Sequence, residues 1–342
     1  MKKTILFFSL LTFSITISFS QTWGTAGTGI KGSFTSLITY KGNLYAGGID
    51  SLNGKAIHVA KWNGTIWSEA DTGLAGNITA VGIYSDKLYA GTEFKEGKQS
   101  FYYLLCWNDT AWKPVQTFNG PVNALCAFNG ALYVGGKFTK AGDTINARFM
   151  AKWNDTIWQP VRGIPNNVRA LAVYHQKIYA GGQFKGVYRW MGHSWEDVYN
   201  GKGIHINDGF IKAFTVYDDE LYACGEFNYL AKWNNENWEI AGTFNDGGNT
   251  MAAYNGAIYT GGDFTAVPNF DHAYHIAKLS ALGWECLGGV IYWPGDCKPY
   301  TGTVWSLAEY KGDLYIGGQF MIAGGKVINN IAKWNCPQQT KQ

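Results

Sequence analysis

Apolar positions in this chain fall in short runs broken by turn residues, and residues 122–158 give the fullest statement of the pattern: VNALCAFNGALYVGGKFTKAGDTINARFMAKWNDTIW. One run ends at Phe128, the turn Asn129-Gly130 follows, and a second run ends in Gly135-Gly136. A polar loop then leads to a third run closed by Trp153, and Trp158 opens a fourth. Short apolar runs between turn residues predict strands, and Asn and Gly accept the positive φ that two-residue hairpins require.

The second run recurs as LYAGGID, LYAGTEF, LYVGGKF, IYAGGQF, LYACGEF, IYTGGDF and LYIGGQF, starting at Leu44, Leu88, Leu132, Ile178, Leu221, Ile258 and Leu314. A β-like period of about this length predicts one four-stranded propeller blade per copy. The third strand ends at Trp62, Trp107, Trp153, Trp190, Trp233, Leu279 or Trp334, and the fourth opens at Trp67, Trp112, Trp158, Trp195, Trp238 or Trp284. The seventh copy has no fourth strand of its own, whereas Trp23-Gly24-Thr25 resembles one. The expected fold is therefore an all-β, seven-bladed propeller over residues 21–336, its ring closed by an N-terminal strand that completes the last blade, with a tail at 337–342.

Composition supports this class. Of 342 residues, 46% are hydrophobic, 16% aromatic and 44 are Gly, enough for a large β core. Met1-Lys2-Lys3, the apolar stretch from Ile5 to Ile17 and the small residues Ser18 and Ser20 read as a signal peptide over 1–20, giving an exported protein, secreted or held in the periplasm or at the cell surface. The formal charge of +3 falls to +1 once Lys2 and Lys3 are removed. That balance argues against a nucleic-acid partner, and no second apolar stretch is long enough to span a membrane. A monomer is expected.

The Leu-Tyr-x-Gly-Gly strand, the aromatic third strand and the Trp of the fourth resemble the kelch and galactose-oxidase class of propellers. The fuller pattern, with GGxF, an AGG-like loop and IAKWNG, is similar to exported bacterial propeller repeats and to those of the fungal cortical cell-polarity marker. The resemblance covers nearly all of the mature chain and implies fold rather than function. A copper site of the galactose-oxidase kind would need two His, two Tyr and a Cys to converge, but the six His are scattered. An arginine triad of the sialidase kind would draw on several blades, yet Arg148, Arg162, Arg169 and Arg189 all lie in blades three and four. No metal site or cofactor is expected.

Loop lengths mark one face of the disc. Connections from second to third strand and from blade to blade vary and share a rim, and variable loops on a rigid scaffold are where propellers bind. The expected ligand face covers blades four to six, with Tyr292, Trp293 and Tyr300 in the longest loop and His205, Asp208, His272 and His275 beside it. Aromatic rings among Asp, Asn and His suit sugars and also protein hot spots, so the expected function is non-catalytic binding or scaffolding of carbohydrate or protein. The alternative is a carbohydrate-active enzyme of glycosidase type using Glu93, Glu226 and Asp263, which end second strands at the mouth of the axis. Cys286 and Cys297 flank one loop and form the expected disulfide.

Overall fold

The computed structural model describes residues 22–28, 30–74, 76–199, 203–204, 206, 209–291, 302–328 and 330–335; the signal peptide and the tail expected from the sequence lie outside them. The described residues form an all-β structure of antiparallel sheets. The unit at 122–158 becomes Val122–Phe128, Ala131–Gly136, Met150–Trp153 and Trp158–Pro160, paired in that order. Asn129 and Gly130 both take positive φ (44° and 69°), as the Asn-Gly hairpin requires. Trp153 faces Trp158 across the next hairpin, and their rings stack at 5.8 Å and 12°.

Each repeat builds such a sheet, numbered here by its inner strand: Ile30–Tyr40, Asn77–Tyr84, Val122–Phe128, Val168–Tyr174, Ile211–Tyr217, Gly248–Tyr254 and Thr303–Tyr310. Inner strands of successive sheets touch in chain order, and Thr303–Tyr310 of the seventh touches Ile30–Tyr40 of the first. The fourth strand of the seventh sheet is Thr22–Thr25, paired antiparallel with Ile331–Asn335 in the register Trp23↔Trp334. Trp23 is buried and its Nε1 donates to the Leu287 carbonyl at 2.5 Å.

The Gly-Gly signature has a packing cause. A Cβ on the first glycine would strike the inner strand of the following sheet: at Gly135 it would lie 2.5 Å from Val168 Cγ1, at Gly181 2.6 Å from Ile211 Cγ2, and at Gly261 2.4 Å from Val304 Cγ1. Gly317 of the seventh sheet meets Phe34 of the first in the same way, at 2.9 Å. Second strands are accordingly buried on both faces, as in Ala131–Gly136. The fifth sheet inverts the arrangement: Cys224 replaces the glycine, and the small residue is Gly248 on the neighbouring strand.

Three second-to-third loops add strands of their own: in the first sheet Lys55–Ala56 folds back on Asn43–Leu52, and two others reach a neighbouring repeat. Lys140–Ala141 and Ile145–Asn146 form a hairpin that pairs with Trp112–Phe118 of the second sheet through Ala141↔Phe118. Ile322–Ala323 and Lys326–Val327 form another, pairing with Val290–Ile291. The AGG-like loop is thus a clasp onto the preceding repeat in the third and seventh copies.

Candidate functional site

Six inner strands break register just after their first buried residue, leaving Thr79, Asn123, Arg169, Lys212, Asn249 and Trp305 at the interruption. A bulge leaves its extra residue outside the ladder and re-aims its side chain. In the third to fifth sheets the bulged residues Asn123, Arg169 and Lys212 line one cavity of about 420 Å3 with Pro121, Lys137, Asn167 and Gln183. The residues at 137 and 183 stand in the GGxF position immediately after the second strand, so the cavity lies where the inner and second strands of neighbouring sheets meet.

A polar network joins these side chains. Asn123 Nδ2 donates to Asn167 Oδ1 at 2.8 Å, and Asn167 Nδ2 donates to Gln183 Oε1 at 3.0 Å, so the buried Asn167 amide is satisfied at both ends. The Arg169 guanidinium donates to Glu226 Oε1 at 2.8 Å and lies over the Phe210 ring, 6.0 Å from its centroid. Lys212 Nζ donates to Asn249 Oδ1 at 2.8 Å and stands 3.9 Å from carboxylate oxygens of both Glu226 and Asp263. Asp263 Oδ1 accepts from Thr303 Oγ1 at 2.7 Å and from Asn249 Nδ2 at 3.1 Å.

Two of the three acids singled out in the sequence therefore share one site, bridged by Lys212. Glu93 holds the same repeat position in the second sheet but belongs to a separate cluster, accepting from Ser100 Oγ at 3.0 Å with Lys95 at 3.8 Å. The two histidines part company. His272 is exposed and its Nδ1 bonds the Tyr274 hydroxyl at 2.7 Å, whereas His275 is buried, 2% exposed, with Nε2 accepting the Gly302 amide at 3.2 Å. That burial gives His275 the role of anchoring its loop. Tyr292, Trp293, Tyr300, His205, Asp208 and Cys297 lie outside the described residues. Cys286 carries a free thiol that donates to the His272 carbonyl at 3.4 Å.

Sequence reasoning passed over Asn123, Lys137, Asn167, Gln183 and Lys212, and weighed Arg169 only as a member of an arginine triad. For Asn123, Arg169 and Lys212 the signal is positional: a polar residue directly after the first apolar residue of an inner strand, as in Val122-Asn123, Val168-Arg169 and Ile211-Lys212. Counted as strand alternation, such a residue looks like an ordinary solvent-facing position, and only the bulge turns it to the cavity.

No protein-family model matches the chain, and no curated protein matches it in sequence. Solved structures do resemble it. The WD40 β-propeller domain of Doa1 superposes over 94% of this chain and 99% of its own, at 15% identity and a TM-score of 0.61. YCF48 bound to D1 peptide covers 94% and 97% at 13% identity, with a TM-score of 0.56. The computationally designed Ika8 protein covers 90% and 98% at 12% identity, with a TM-score of 0.53. Identities this low speak for fold alone, and the fold is a β-propeller.

Proposed function

We propose that this chain is an exported, monomeric, non-catalytic binding propeller of seven kelch-like blades, closed by its N-terminal strand, whose ligand is a carbohydrate held on the loop-rich face at the mouth of the axis. The observation that carries the reading is the cavity of about 420 Å3 walled by Asn123, Asn167, Gln183, Lys137, Arg169 and Lys212. Amides and cationic groups in a fixed array suit the hydroxyl and carboxylate edges of sugars. The closed ring is supported by the Trp23↔Trp334 pairing and by the contact between the last and first inner strands. Glu226 and Asp263 are each engaged by cationic or hydrogen-bonding neighbours, an arrangement that favours a fixed, charge-balancing role over general acid chemistry. The loop-rich face would extend toward the fourth to sixth blades, where Tyr292, Trp293, Tyr300, His205, Asp208 and His272 would supply further contacts.

A glycan array probed with the mature chain and with Asn123→Ala/Arg169→Ala tests this. Glycan binding lost in the variant supports the reading. Selective binding to a peptide array, in the way that YCF48 is seen with D1 peptide, would replace carbohydrate by protein as the ligand. Release of reducing ends that Glu226→Gln abolishes would make the chain a glycosidase instead.

A further inference from the structure

We infer that Arg148 and Arg162 form a second, anion-holding subsite on the loop-rich face, so that the carbohydrate is an acidic polysaccharide carrying carboxylate or sulfate groups; the polysaccharide part rests on the function proposed above. The two arginines line one cavity of about 410 Å3 together with Asn146, Gly163 and Ile164. Arg169 and Arg189 each bond a glutamate at 2.8 Å, but neither Arg148 nor Arg162 has an ion pair among the described residues. Asp143, the acid nearest in sequence, is not among the lining residues. Two guanidinium groups lining one open cavity with no carboxylate in its wall leave their charge available to an anion, and their planar forks match a carboxylate or sulfate.

The backbone beneath both is fixed. Ala147 and Phe149 on either side of Arg148 donate to the Thr139 and Phe138 carbonyls at 3.0 and 2.8 Å, and Ala147 is fully buried. Arg162 sits between the buried residues Val161 and Ile164, with Val161 N bonded to the Met150 carbonyl at 3.0 Å. Both guanidinium-bearing side chains are themselves exposed. Anchored backbones leave only the two side chains to be ordered when a ligand is captured.

Position sets the ligand class. Arg148 lies in a second-to-third loop and Arg162 in a blade-to-blade linker, the two kinds of connection that share the face of the axial cavity. Cations therefore stand at two stations on one face, Arg148 and Arg162 at one, Lys137, Arg169 and Lys212 at the other. Separated stations read a repeating anion, and the Asn146 amide beside the first offers a partner for a hydroxyl.

The test titrates the full mature chain with polygalacturonate (carboxylates), dextran sulfate (sulfate esters), neutral dextran and duplex DNA. Arg148→Ala/Arg162→Ala should weaken binding to one of the two acidic glycans about tenfold, with an unchanged melting temperature. Lys87→Ala/Lys113→Ala, which removes the same charge elsewhere, should change binding less than about twofold. The better of the two acidic probes identifies carboxylate or sulfate as the group held. Equal losses in both double variants, DNA binding as tight as the glycan, or no binding of either acidic glycan would overturn the inference. The axial reading fails separately: if Arg169→Ala/Lys212→Ala changes nothing while Arg148→Ala/Arg162→Ala weakens binding, the rim subsite stands and the axial one falls, and the reverse result sinks the subsite alone.

Discussion

The Tyr310 hydroxyl donates to the Gly42 carbonyl at 3.1 Å, tying the end of the last inner strand to the first turn of the first sheet. The same bond runs from one sheet to the next at Tyr40→Asp86, Tyr84→Gly130, Tyr174→Asp219, Tyr217→Gly256 and Tyr254→Gly312, between 2.6 and 2.9 Å. Only the third sheet lacks it, because Phe128 holds the position. The register of the other six places the missing acceptor at the Gln176 carbonyl. Phe128→Tyr should therefore raise stability by about 1 kcal/mol, read as a higher urea midpoint at unchanged m-value. No shift would mean that the hydroxyl prefers water there.

The Cys224 and Gly248 pair makes a sharper claim. Every other first-glycine position faces a larger side chain on the next sheet, and here the two sizes are exchanged. Gly248→Val alone should cost about 1–3 kcal/mol by overpacking against Cys224. Cys224→Gly/Gly248→Val restores the common arrangement and should recover most of that loss. A double-mutant cycle showing no coupling between the two would refute direct packing as the cause.

How much of this was legible in the sequence follows from what each feature depends on. The strands, their hairpins and the Trp pairs were readable because each is local: Asn129-Gly130 fixes a turn whatever surrounds it. The fourth strand assigned to Trp23 was readable because the repeat supplied a template, and the register Trp23↔Trp334 agrees with it. The polar cavity was less readable. Glu226 and Asp263 were found from their repeat position, but Asn123, Arg169 and Lys212 act through a bulge, a shift of pairing that depends on two strands together. His275, expected on the ligand face, is buried through a non-local contact with Gly302 that no local pattern signals.

Trp23 offers a direct measure of what the N-terminal strand contributes. Its ring packs 4.8 Å from Trp334, its Nε1 bonds Leu287, and a Cβ on Gly324 would lie 2.2 Å from its Cδ1. Trp23→Ala should cost about 3–5 kcal/mol, measured by chemical denaturation. A loss below about 1 kcal/mol would show that the strand adds little to the seventh sheet.

Alkaline pH should weaken the fold. Burial pushes the Cys224 thiol up to about 12 and the Cys126 thiol up to about 11, from an ordinary value of 9.0. Burial also raises the Tyr89 and Tyr222 phenols above their ordinary 10.0. In each case the unfolded chain releases its proton first, so the stabilisation is whole below pH 9 and is lost as pH climbs through the unfolded values toward the folded ones. Each fully buried group contributes up to about 1.4 kcal/mol per pH unit in that window. Melting temperature should fall progressively from pH 9 to 11, and Cys224→Ala should make the fall shallower. An unchanged slope would remove Cys224 from the account.

Glu226 separates binding from turnover. Its Oε1 accepts from Arg169 at 2.8 Å and lies 3.9 Å from Lys212, so it balances the two cations that line the axial cavity. Glu226→Gln keeps the shape and removes that balance, leaving both cations with more of their field for a ligand anion. Arg169 and Lys212 are partly solvated, so the gain is modest, on the order of 1 kcal/mol. Affinity for polygalacturonate should therefore rise about fivefold, most clearly at low ionic strength where screening is weakest. Isothermal titration at two salt concentrations checks both parts. A variant that binds less tightly than the parent would show that Glu226 itself contacts the ligand, as an acceptor of its hydroxyls, and would shift the recognition of the sugar from the cations to the carboxylate.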